Sequence, residues 1–120
     1  MSDERLRPEH RVRSRADFQR VYSQRCRVAD ELLVVSGGAT DHPYPRLGLA
    51  VPRAVGSAVI RNRWKRLIRT AFRLTRTKMP PGVDLVVSPR RGATPELAAL
   101  RASLPKLAAR LVRKLRRKSP

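Results

Sequence analysis

A compact α+β domain with its elements in the order α-β-β-α-β-α is the fold class this 120-residue sequence predicts, and three observations carry it. The apolar residues between Ile60 and Leu74 recur at helical spacing within a long cationic segment. Three short runs rich in Leu and Val, at 31–36, 46–51 and 83–88, have the length and composition of strands. Clusters of Gly, Pro and Asp punctuate the chain between them. The pattern implies a two-layer sandwich, with a small sheet and helices packed mainly on one of its faces. No internal repeat is visible.

The first dozen residues mix charges with Pro8 and lack apolar periodicity, so residues 1–12 read as a flexible basic arm ahead of a single domain at 13–115. Ser14 followed by Asp17 is an N-terminal capping pattern, and Phe18, Val21 and Tyr22 then fall at helical spacing to about Gln24. The runs at 31–36 and 46–51 flank a loop holding Gly37, Gly38, Asp41, Pro43 and Pro45, and are expected to pair antiparallel. In the second, Leu47, Leu49 and Val51 share one face. Gly48 and Ala50 leave the other face with little bulk, open to close approach. Ser57 caps the long helix, which fades before Met79-Pro80-Pro81-Gly82. The strand at 83–88 ends at Pro89, and Thr94-Pro95-Glu96 opens a last helix whose Leu spacing continues through Pro105. A proline there is expected to kink or divide that helix. Residues 116–120 form a basic tail.

The long helix is the most informative segment. Ile60, Trp64, Leu67, Ile68, Ala71 and Leu74 gather on one side and Lys65, Arg66, Arg69, Arg73 and Arg76 on the other, with Asn62 amid the polar face and Arg61 and Arg63 at its flanks. A solvated surface helix mixes in acids, yet there is none from Arg61 to Lys78. Its guanidinium groups suit forked hydrogen bonds to phosphate. Trp64 falls in the apolar stripe and reads as core rather than as a base-stacking ring. Phe18 and Tyr22, four apart, share a face that either seals the core or presents rings to unstacked bases.

Lys and Arg number 28 against 9 acids, a formal net charge of +19, which points to a polyanionic partner, nucleic acid before an anionic membrane surface. With 41% hydrophobic but only 4% aromatic residues, aliphatic side chains must fill the one core. The longest dense aliphatic run, Leu32 to Val35, is far too short to cross a bilayer. A single Cys26 excludes an internal disulfide and fits a reducing cytoplasm. Asp17, Asp30, Glu31, Asp41, Asp84 and Glu96 read as caps, turns and surface charges, not as a two-metal nuclease site. His10 and His42 are too isolated for a metal site, Cys26 has no assignable base, and the glycines form no nucleotide-binding loop, so no catalytic residue, metal site or small-molecule substrate is expected.

The ordered set Asp17-Phe18, Val21-Tyr22, Arg46 to Val51, Val55-Gly56, Arg61-Asn62-Arg63, Lys65-Arg66, Arg69, Phe72-Arg73 and Asp84 to Val87 before Arg90 resembles the protein subunit of bacterial ribonuclease P, over roughly residues 11 to 115. The resemblance implies a parallel crossover through the long helix with an unusual left-handed sense, where generic topology favours right-handed. It implies a cytoplasmic ribonucleoprotein endonuclease whose chemistry belongs to an RNA subunit using magnesium ions, the protein holding no cofactor of its own. Arg61, Asn62, Arg63, Lys65, Arg66, Arg69 and Arg73 would meet that RNA. A cleft between the first helix and the sheet would hold the single-stranded 5′ leader of precursor tRNA, with Phe18, Tyr22, Arg15, Arg53 and Arg90 around it. Pro52-Arg53-Ala54 departs from the family's Ser-Lys-Lys-like segment by one cation, and Arg25 replaces a glycine common after the first helix. The competing reading is a ribosomal or other structural RNA-binding protein. Engagement of about six phosphates predicts that log affinity falls with log salt at a slope near −4 to −5.

Overall fold

Both serine caps form as the sequence predicts: the Asp17 N–H donates to Ser14 Oγ (3.1 Å) and the Ile60 N–H to Ser57 Oγ (3.4 Å). In this computed structural model, which describes residues 7–118, they open α1 (Arg15–Ser23) and α2 (Ala58–Thr75). The other elements are β1 (Cys26–Ala29), β2 (Leu33–Ala39), β3 (Arg46–Leu49), β4 (Val83–Pro89) and α3 (Leu97–Lys118), with single 3₁₀ turns at Pro8–His10, Arg53–Val55 and Arg76–Lys78.

The sheet order is β1-β2-β4-β3, with β1/β2 and β2/β4 antiparallel and β3/β4 parallel. This corrects the expected antiparallel pairing of β2 with β3. The last strand in sequence inserts between them because Val83 to Val87 are all buried, and a strand buried on both faces belongs in the sheet interior. Strand β3 is thereby left at an edge, joined to β4 through the α2 crossover. Strand β1 is a fourth strand that sequence reading missed: Cys26 and Val28 face inward, but four residues are too few to register as an alternating run.

Alternation along β2 sets the layers. A Cβ on Gly37 would overlap the side chain of Leu111 of α3, while one on Gly38 would fall 2.8 Å from Gln24, just after α1. Helices α2 and α3 therefore cover one face, and α1 covers only part of the other. The core lies in the first layer, where Leu33, Val35, Leu47, Leu85 and Val87 meet Trp64, Ile68, Phe72, Leu100, Leu104, Leu107 and Leu111. Pro105 does not divide α3, which runs as one 22-residue helix. The proline forfeits its own N–H bond to the carbonyl of Arg101 and its ring crowds that carbonyl, but Arg101 is an exposed residue, so the freed carbonyl can turn to solvent.

Residues 7–12 are not the free arm expected of them; residues 1–6 of that arm, and 119–120 of the tail, lie outside the described residues. His10 and Val12 are buried, Arg11 bridges to Leu47, and the Val12 N–H donates to the Leu47 carbonyl at 2.8 Å. The His10 ring meets Tyr44 edge-on and sits 2.8 Å from an Arg76 guanidinium nitrogen. Burial, and then that guanidinium, hold the His10 pKa below its ordinary value.

Arg25 ends α1 in the left-handed region, φ 50°, at the position where the resemblance leads one to expect glycine. A Cβ costs about 1–2 kcal/mol there, and glycine's extra chain entropy returns about 0.5–1 kcal/mol of that. Arg25→Gly is expected to raise the urea midpoint, by a net stabilisation of about 0.5–1 kcal/mol.

Candidate nucleic-acid interface

Helix α2 is fastened by Trp64, Ile68, Ala71, Phe72 and Thr75, all buried. This face is rotated toward Phe72 and Thr75 relative to the stripe read from sequence, so Ile60 and Leu74, at its margin, remain 44% and 40% exposed. The cations therefore stand where expected. Asn62, Arg63, Arg66 and Arg69 are exposed, while Arg61, Lys65 and Arg73 lie half-buried along the flanks. Among the described residues every salt bridge ends on Glu9, Asp17 or Asp84, and none reaches α2. The Nε atoms of Arg61 and Arg73 are buried without a hydrogen-bond partner. Partial burial, and then the Arg11 charge, depress the Arg69 pKa. This face is rigid, cationic and short of negative charge.

The opposite side of the sheet offers a different surface. Helix α1 leaves uncovered a groove of about 480 Å³, floored by Val34, Ser36, Ala50, Val86 and Ser88 and bordered by Tyr22, Arg27, Val51 and Pro52. Small side chains at Ser36, Ala50 and Ser88 keep the floor open, as anticipated for Ala50. Tyr22, 48% exposed, stands at its wall, and partial burial raises its phenol pKa. Phe18, 6.4 Å from Tyr22 between ring centroids, does not line this groove. It packs over Gly48 and lines a second groove, of about 260 Å³, with Arg11, Arg13, Lys65 and Arg69. Arg15 and Arg53 are exposed outside both grooves. Arg90 is also exposed, and its guanidinium donates to the Asp30 carbonyl at 3.1 Å. The structure thus separates residues that the resemblance grouped, sets Arg11 and Arg13 beside Phe18, and adds Arg27.

An ion-pair hub holds α1 over the sheet. Asp84 is not the turn or surface charge expected from sequence: its side chain is wholly buried. It accepts from Arg46 Nε (2.7 Å) and Nη2 (2.6 Å) and from Arg20 Nη2 (2.5 Å). Asp17 lies 3.6 Å from Arg20 and 3.7 Å from Arg46. Hydrogen bonding to Asp84 above all raises the Arg46 pKa. The hub ties β4, β3 and α1 together, and so positions the wall that carries Tyr22. Asp30 is likewise structural. Burial opposes its ionised form, but Ser103 Oγ and the N–H groups of Leu33 and Leu32 donate to it, and Arg110 is nearby, so its pKa falls. Among the described residues no three of His, Cys, Asp and Glu gather as metal ligands. No helix among them is long and apolar enough to cross a membrane.

A small α+β sandwich with an acid-free cationic helix on one face and an open, aromatic-walled groove on the other defines a polyanion-binding protein suited to RNA. The chain belongs to the Ribonuclease P family, whose model matches residues 6–112. It is 44% identical over 90 residues to the ribonuclease P protein component of Syntrophobacter fumaroxidans, covering 74% of this chain and 76% of that one. The ribonuclease P protein of Thermotoga maritima has the same fold, with TM-score 0.75 and 32% identity over 83% of this chain and 96% of that one. The Staphylococcus aureus protein follows at TM-score 0.71, 28% identity and coverage of 88% and 97%.

Proposed function

We propose that this protein is the accessory subunit of a ribonucleoprotein endonuclease that removes 5′ leaders from precursor tRNA in the cytoplasm. The single observation that carries the reading is α2: a helix clamped into the core by Trp64 and Phe72 that presents six cations and Asn62 between Arg61 and Arg73, with no acid among them. In this reading that face binds the RNA subunit. The chemistry and its magnesium ions belong to the RNA, since the carboxylates of Asp17, Asp30 and Asp84 are engaged in holding the fold. The protein's cations offset repulsion between the two RNAs, lowering the magnesium needed. The groove beside Tyr22 takes the single-stranded leader, with Arg27 near its phosphates and the phenol ring against a base. Arg15, Arg53 and Arg90, exposed but not part of the groove's lining, are the further cations that the family resemblance assigns to the leader.

Binding to precursor rather than mature tRNA tests this division of labour. The reconstituted ribonucleoprotein is expected to bind precursor tRNA more tightly, and Tyr22→Ala to lose about 1–3 kcal/mol from the precursor alone. Equal loss for precursor and mature tRNA would remove Tyr22 from the leader site. A ribosomal or packing protein would show no preference for the precursor.

A further inference from the structure

The basic residues near the end of the sequence belong to α3, whose 22 residues include no acid. Lys106, Arg110, Arg113, Lys114 and Arg117 are exposed and share one stripe of the helix, about 16 Å long at 1.5 Å per residue. Two of the five reach β1, the sheet edge opposite β3: Arg110 Nη1 donates to the Ala29 carbonyl (3.1 Å) and Lys114 Nζ to the Arg27 carbonyl (2.8 Å). The Asp30 N–H bonds inward to Leu33, so by alternation Arg27 and Ala29 turn both backbone groups outward. With its carbonyls engaged, this edge offers only N–H groups and cations. Such a cover also deters strand addition, but Arg110 and Lys114 already provide it. Lys106, Arg113 and Arg117 take part in none of the salt bridges among the described residues. Asp30, whose charge lies near Arg110, is held by Ser103 and by the Leu32 and Leu33 N–H groups. A membrane surface would need an apolar helix face, and Leu100, Leu104, Leu107 and Leu111 are buried in the core. No aromatic residue occurs on α3, so base stacking is not on offer there. The chemistry left is that of a phosphodiester backbone.

The groove beside Tyr22 runs to this edge. Its lining crosses the sheet from Ala50 and Pro52, just after β3, through Val86 of β4 and Ser36 of β2 to Arg27 of β1. Lys65 and Arg69 of α2 stand beside Leu47 and Leu49 of β3, which places the RNA-subunit face at the β3 end of that groove. The other end opens at β1, beside α3. We infer that the α3 stripe and the β1 edge form a phosphodiester track for the part of the leader upstream of the groove, held by backbone charge without regard to base. The track rests on the proposed leader groove and extends it. Leader length becomes a determinant of affinity, read by residues that line neither the groove nor the α2 face.

The test uses the reconstituted ribonucleoprotein and two precursor tRNAs, one whose leader ends within the groove and one whose leader continues well past it. The longer leader is expected to bind on the order of tenfold more tightly, with a salt slope steeper by about 2, from roughly three single-strand phosphates at about 0.7 each. Both differences should vanish in the triple variant Lys106→Gln, Arg113→Gln, Arg117→Gln, whose substitutions are exposed and keep good helix formers. They should persist in Lys106→Arg, Arg113→Lys, Arg117→Lys, because the track reads charge. An advantage that survives the glutamine variant, or no advantage in the wild type, would overturn the track. So would an equal loss for both precursors together with weaker binding of the RNA subunit alone, which would put that RNA on α3 instead of the leader. If the wild-type ribonucleoprotein bound precursor and mature tRNA equally, the leader reading itself would fall. The edge is then decided separately, by titrating the ¹⁵N-labelled full chain with oligouridylate. Saturable shifts at the Arg27 and Ala29 amides, abolished in the glutamine variant, are the expected result, and unmoved amides would rule out a phosphodiester site there.

Discussion

The triple variant Arg63→Ala, Arg66→Ala, Arg69→Ala is expected to bind the RNA subunit at least about 100-fold more weakly, on a scale of about 1.5–3 kcal/mol for each lost hydrogen bond to a charged partner. Its salt slope should shrink by about 2 to 3, one increment of about 0.7–0.9 per phosphate no longer neutralised. Fold stability should move the other way. All three side chains are exposed and bear no salt bridge among the described residues. Replacing them relieves like-charge repulsion along α2 and installs the best helix former. A variant that loses RNA affinity while holding or gaining melting temperature separates binding from folding. Loss of both together would mean that the cations support the fold and that the α2 face has been misread. Calorimetry and filter binding on the same preparations decide between the two.

Asp84→Asn carries the largest expected effect on stability. The carboxylate is wholly buried and receives two hydrogen bonds from Arg46 and one from Arg20. Asn preserves the shape but offers one acceptor oxygen and turns an NH₂ toward cationic donors, leaving a half-buried guanidinium without its counter-charge. Breaking a buried pair in this way costs about 3–5 kcal/mol. For a domain of this size the melting temperature should fall by roughly 10–25 °C. A functional consequence follows from the same geometry. Arg20 belongs to α1, so loosening the hub frees the wall that carries Tyr22 while leaving α2 clamped by Trp64 and Phe72. At a temperature where the variant remains folded, discrimination of precursor from mature tRNA should fall more than affinity for the RNA subunit. A melting temperature within a few degrees of wild type would mean that solvent already screens Asp84.

Periodicity in the sequence located α1, α2, α3 and three of the four strands, because each carries a cap, an apolar stripe or an aliphatic run that acts locally. Pairing was not local. The antiparallel β2/β3 hairpin expected from their proximity gives way to a central β4, whose two-sided burial was visible in its run Val83 to Val87 but whose place in the sheet depends on the crossover through α2. Strand β1 escaped notice because Arg27 interrupts a segment only four residues long. The same distinction holds at the interface. The α2 face was legible because charge and apolarity follow separate helical stripes within one segment. Phe18 and Tyr22, inseparable by spacing, were parted by which sheet residues lie beneath them: Gly48 for Phe18, and the Ser36/Val86/Ala50 floor for Tyr22. Asp84 resembled any other strand-edge acid until Arg20 and Arg46, 64 and 38 residues away, closed on it. Arg11 was assigned to a free arm, and Arg13 to the first residue of the domain, because nothing in their own segment records that Val12 docks on β3.

Cleavage at limiting magnesium is the most direct test. With a bacterial ribonuclease P RNA and precursor tRNA, at a magnesium concentration where RNA alone is nearly inactive, adding the purified full chain should restore cleavage at the mature 5′ end, and the triple α2 variant should not. Equal cleavage with and without the protein, across a magnesium titration, would contradict the account at its centre.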